Sequence, residues 1–142
     1  MVDLGFKSLL IHLISDYWLQ NDWMATNKKK HWWPAFVHAF IYTLPFILLT
    51  RSIPALLVIG ITHYIIDHTD IVSKLNQIKN WNFDKYVIGY FKQRKDGALG
   101  KTFINIQDGY DIERPLFLRI WLIIIQDNIL HLVINYLALR WL

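Results

Sequence analysis

The sequence predicts an all-α integral membrane protein, a four-helix bundle with a polar cytoplasmic loop carrying an interfacial helix. Three observations lead there. The 142 residues are 54% apolar and only 18% charged, with a mean hydropathy of +0.26, against about a quarter charged in an ordinary soluble domain. The apolar residues gather into four long stretches, and the basic residues gather between them. Within three of the stretches, scarce Asp and His residues recur in pairs. The length suits one membrane domain over 1–142 and leaves no room for a separate cofactor module. Seven Trp, seven Tyr and eight Phe rule out a disordered composition, and the absence of Cys rules out disulfides, thiolate metal sites and a cysteine nucleophile.

The spans are expected at about 4–23, 32–50, 53–70 and 116–140. A crossing helix needs about 20 residues. The fourth stretch exceeds that, the second nearly meets it, and the first and third are short or marked by polar residues that neighbouring helices would have to cover. Four spans place the first and third connections on one side. That side then holds Lys28, Lys29, Lys30, Lys74, Lys79, Lys85, Lys92, Arg94, Lys95, Lys101, Arg114 and Arg119, and the other only Lys7, Arg51 and Arg140. The positive-inside rule makes the first side cytoplasmic and both termini non-cytoplasmic. A multi-pass protein of the bacterial inner membrane is expected. The net charge of +4 is therefore a topology signal and a contact for anionic lipid headgroups, with no nucleic-acid partner implied. Residues 1–11 lack a basic n-region, so no cleavable signal is expected.

The cytoplasmic loop, 71–114, carries Phe83, Val87, Tyr90 and Phe91 on one helical stripe. It reads either as an interfacial helix or as a small soluble cap. Gly97 to Thr102 misses the spacing of a phosphate-binding loop and reads as a turn. Trp32, Trp33 and Trp141 read as an aromatic belt.

The chemistry lies in the interruptions. His12 and Asp16, His63 and Asp67, and Asp127 and His131 are each four residues apart, and each pair shares a helical face. His38 stands in the second stretch. An Asp at the centre of a span costs about 2.5–3.5 kcal/mol on insertion scales, a penalty relieved where the groups meet. A helical rise of about 1.5 Å per residue puts Asp16, His38, His63 and Asp67 about 5–10 Å, and His12 and Asp127 about 16 Å, from the cytoplasmic ends of their spans, so the site is expected in the cytoplasmic half of the bundle. Facing helices of a bundle are where carboxylate and imidazole metal sites are built. His12, Asp16, His38, His63, Asp67, Asp127 and His131 are thus candidate ligands for one divalent metal or two bridged by carboxylate, with Zn, Mn or Fe suited to the donors. His38 and Asp22 are candidate catalytic groups. Gln20, Asp22, Gln126 and Asn128 flank the pairs and suit supporting roles. Two other readings stay open, a purely structural polar network and an ion or proton pathway. No H-E-x-x-H, G-x-S-x-G or multi-histidine box is present.

The run from His12 to Ala25 with Lys28 after it, His38, His63 to Asp67 and Asp127 to His131 together resemble the motifs of a small uncharacterised membrane family of bacteria and their phages. That family is defined by a domain of unknown function. The last block departs from the pattern, with Asn128 where Gln is expected. A looser similarity runs to membrane-bound metal-dependent hydrolases. It implies hydrolysis of a lipid-like or phosphate-ester substrate, by analogy. The rival is a non-enzymatic structural or accessory subunit, and an oligomer or partner subunits are compatible with either.

Overall fold

The computed structural model describes residues 3–80, 110 and 115–142. All regular structure among them is helical: α1 (Leu4–Leu13), a π-helical turn (Ile14–Trp18), α2 (Asp22–Asn27), α3 (Trp32–Thr43) continued by a 3₁₀ segment (Leu44–Leu48), α4 (Ile53–His68), α5 (Ile71–Lys79) and α6 (Leu116–Trp141). Residues 71–79, expected at the start of the loop, are helical. The stripe of Phe83, Val87, Tyr90 and Phe91 and the turn at Gly97 to Thr102 lie outside the described residues. Two compact units result, one of Met1–Asp70 with Ile125–Leu142 and the other of Ile71–Ile124.

Local chemistry sets the helix ends. Asp3 caps α1 by accepting from the Gly5 amide at 2.9 Å, and Asn21 caps α2 by accepting from the Met24 amide at 2.9 Å. Ser52 caps α4, where Pro54 sits in the first turn without needing an amide partner. The first apolar stretch is consequently two helices rather than one. The Leu19 amide reaches back five residues to the Ile14 carbonyl at 3.0 Å, opening a π turn, and Asn21 then starts α2 afresh. Among the described helices, α6 alone is long and apolar enough to cross a membrane, with 26 residues and a mean hydropathy of 1.7. The apolar helix over Trp32–Leu48 is shorter.

Burial in the first unit is inverted. The buried face of α1 and its π turn is Ser8, His12, Ser15 and Asp16, whereas Phe6, Leu10, Leu13 and Tyr17 are exposed. On α6 the buried line is His131, Asn135 and Ala138, with Ile125, Ile129, Val133 and Leu137 exposed. A small apolar core of Tyr42, Phe46, Ile59 and Ala138 closes one end of the unit, with Ile11, Leu49, Leu56 and Leu139 against it. Small residues let α3 and α4 approach: Ala35, Ala39 and Ala55 are buried, and a Cβ placed on Gly60 would lie 2.8 Å from the Thr43 hydroxyl.

Candidate metal centre

The α3–α4 approach brings His38 beside His63 and Asp67, and the π turn delivers Asp16 to the same point. His38 Nε2 lies 3.1 Å from Asp16 Oδ1 and 3.1 Å from Asp67 Oδ2. His63 Nε2 lies 3.1 Å from Asp67 Oδ2, 3.8 Å from Asp16 Oδ1 and 3.0 Å from His38 Nε2. All four side chains are buried. A tetrahedral ion with bonds of about 2.0–2.1 Å spaces its ligand atoms about 3.3–3.4 Å apart, and the five separations bracket that value. Two imidazole nitrogens and two carboxylate oxygens facing one point offer more lone pairs than protons. A cation satisfies such a set.

Asp67 also belongs to a second donor group with Asp127 and His131. His131 Nε2 is 3.6 Å from Asp67 Oδ1 and 3.5 Å from Asp127 Oδ2. It is buried with no hydrogen-bond partner among the described residues, because these separations exceed hydrogen-bonding distance while matching the edge of a metal polyhedron. The inner group is closed by four protein donors. The outer one has three, and its Asp127 side chain is 27% exposed. His63 Nδ1 and His131 Nδ1, 3.2 Å apart, join the groups.

Sequence reasoning named seven ligands, and six fall in these two groups. The seventh, His12, is turned to other partners. Asn135 donates an amide N–H to the Tyr42 hydroxyl at 2.6 Å, so the Tyr42 O–H is left to donate to His12 Nδ1 at 2.8 Å. His12 Nε2–H then donates to Asn128 Oδ1 at 2.7 Å, and Asn128 Nδ2 donates to the Tyr17 hydroxyl at 2.6 Å. Both His12 nitrogens are engaged, and the ring is held as the neutral Nε2–H tautomer. Asp22, the other candidate catalytic group, is exposed on α2 and lies in neither donor group.

Three participants were not singled out from sequence for the site. Lys28 Nζ donates to Asp67 Oδ2 at 2.9 Å, held in place by His68 Nδ1–H donating to the Lys28 carbonyl at 2.8 Å. The Tyr42 ring stacks on His63 with centroids 3.5 Å apart and planes 10° from parallel. Asn135 anchors that ring through its hydroxyl. The signal for two of them was present, since Tyr42 lies four residues beyond His38 and Asn135 four beyond His131, on the same faces.

Among the described residues, fold and site together define a helical protein with a buried carboxylate–imidazole cluster able to hold a metal ion. The chain belongs to the family described as "Protein of unknown function (DUF3307)", whose model matches residues 4–91. The match takes in Asp16, His38, His63 and Asp67 and ends before Asp127 and His131. No curated protein and no solved structure matches the chain.

Proposed function

We propose that this protein is a membrane-embedded, metal-dependent hydrolase whose Asp/His cluster holds a divalent cation, Zn, Mn or Fe, and acts on a lipid-like or phosphate-ester substrate. The convergence of Asp16, His38, His63 and Asp67 at metal-polyhedron spacing carries the reading. Catalysis needs an ion with a position left for water. The three-donor group at Asp127, exposed on one side, suits it better than the closed inner group. An apolar groove of about 390 Å³ between α3 and α4, lined among others by Phe36, Phe40, Leu57 and Ile61 but by none of the donor residues, is compatible with an acyl chain lying against this face.

The membrane part of the reading rests on the inverted burial. Water would penalise the exposed Leu, Ile, Val and Trp of α1, α3, α4 and α6, and lipid does not. In a multi-pass arrangement, α1 with its π turn, α3 with its 3₁₀ segment, α4 and α6 are the bilayer elements, and Lys29 and Lys30 face headgroups. Quenching of Trp fluorescence by brominated lipid in vesicles tests this. Strong quenching is expected, and none above that in detergent without bromine rejects it.

One observation favours a rival. The Lys28 ammonium already sits on Asp67, so a metal-free polar network with Lys28 as counter-ion is the second reading. Metal analysis of detergent-purified protein separates the two. Close to one equivalent of a transition metal is expected. Less than about 0.2 equivalents, unchanged in an Asp16→Ala/Asp127→Ala variant, overturns the metal reading. Metal without turnover of any phosphate or acyl ester overturns the hydrolase reading alone.

A further inference from the structure

Two donor groups that share a carboxylate invite the expectation of two metals, but their hydrogen bonds and charge argue otherwise. Resting on the metal reading above, we infer that Asp67, Asp127 and His131 form a second, outer metal site used in alternation with the inner one, so that the protein holds a single divalent ion at either position.

The first argument is the placement of one hydrogen. The contact of 3.2 Å between His63 Nδ1 and His131 Nδ1 is a hydrogen bond only if one nitrogen carries the hydrogen and the other accepts it. An inner ion bound by His63 Nε2 needs the lone pair there, so neutral His63 carries its hydrogen on Nδ1 and donates to His131 Nδ1. His131 then carries its own hydrogen on Nε2, which faces Asp67 and Asp127 and cannot bind metal. An outer ion bound by His131 Nε2 reverses every step. His131 now donates from Nδ1, and His63 keeps its hydrogen on Nε2 toward Asp67 and His38. Both rings stay neutral in each state. Filling both positions at once would leave both neutral rings with their hydrogens on Nδ1, two N–H groups set against each other at 3.2 Å between buried side chains.

Charge supplies the second argument. Asp16, Asp67 and Asp127 as carboxylates bring three negative charges and Lys28 one positive charge. One divalent ion neutralises the remainder, and a second would leave two uncompensated positive charges among apolar helices. The observation pointing to the outer site is His131 Nε2, which is 1% exposed as a residue, lacks a hydrogen-bond partner among the described residues and is aimed between two carboxylates.

Cobalt titration of the full chain in detergent tests this, because Co(II) absorbs strongly in a tetrahedral site and weakly at higher coordination. Wild type is expected to take up one equivalent. Asp127→Asn should bind one equivalent with the intense inner spectrum, and Asp16→Asn one equivalent with the weak spectrum of an open, water-bearing site. Two equivalents in wild type, reduced to one in each variant, would overturn the alternation while leaving the metal reading intact. Binding by Asp127→Asn with none by correctly folded Asp16→Asn would remove the outer site. No uptake by any of the three would remove the metal reading itself. The wild-type stoichiometry decides the alternation even if a variant fails to fold.

Discussion

Tyr42→Phe deletes a single oxygen and tests whether the buried amide–tyrosine–histidine chain does what its geometry implies. The Tyr42 hydroxyl accepts from Asn135 at 2.6 Å and donates to His12 at 2.8 Å. His12 and Tyr42 are fully buried and Asn135 is 2% exposed, so neither partner can turn to water. Each orphaned buried group costs about 1–3 kcal/mol. The phenyl ring keeps its stack on His63 and its place against Phe46 and Ile59, so no cavity adds to the loss. The expected destabilisation is about 2–4 kcal/mol for the two groups together. Denaturant-driven unfolding in mixed micelles, followed by near-ultraviolet circular dichroism, measures it.

A double-mutant cycle sharpens the test. Asn135→Leu removes the donor that Tyr42→Phe would orphan, so the double variant should recover about 1–2 kcal/mol relative to the sum of the singles. The reasoning is refuted if Tyr42→Phe costs less than about 0.5 kcal/mol, below the range for even one orphaned group. It is equally refuted if the two substitutions add without coupling.

Gly60→Ala would put a Cβ 2.8 Å from the Thr43 hydroxyl, which itself donates to the Ala39 carbonyl at 2.7 Å. A loss of about 1–3 kcal/mol is expected from overpacking, most of it recovered by adding Thr43→Ala, in the same unfolding assay. Lys28→Met removes the cation seated on Asp67 and should tighten Co(II) binding by roughly tenfold or more through lost repulsion and competition; weaker binding would show that Lys28 organises the site instead. Asp22→Asn should leave metal affinity unchanged within about twofold, whereas Asp16→Asn abolishes inner-site binding, as an exposed carboxylate and a buried ligand must differ.

How far the site was legible depended on local helix geometry. The rule that residues four apart share a face works where the helix is regular. His63 and Asp67 on α4 meet at 3.1 Å, and Asp127 and His131 on α6 lie 3.5 Å apart. On the first helix the same spacing misled. The π turn over Ile14–Trp18 changes the register at Asp16, so that Asp16 faces His38 while His12 faces Tyr42 and Asn128. Nothing in the local sequence announces such a turn, since no Pro or Gly stands there. Lys28 was missed for another reason. Its place among three lysines reads as topology, and only the α2–α3 connection folding back on the end of α4 carries its ammonium to Asp67. The helical class was legible throughout from hydropathy; where each apolar stretch breaks was not.

The polar interior and the apolar exterior of the first unit have a common energetic origin. Carboxylates and imidazoles at the centre of a helix packing are tolerated only when each meets a partner, and here six of the seven predicted ligands face one another in the two donor groups while His12 meets Tyr42 and Asn128. Such mutual satisfaction fixes helix register more tightly than apolar contact can, because a shift of one residue on α4 would separate His63 and Asp67 from His38, Asp16 and Lys28 at once. The apolar cluster can then be small: among the described residues it is built on Tyr42, Phe46, Ile59 and Ala138. Tyr42 belongs to both systems, with its ring in that core, its face on His63 and its hydroxyl on His12 and Asn135. Packing of the closed end therefore sets the orientation of an imidazole in the inner donor group. A change in the apolar core is expected to reach the metal centre through that ring.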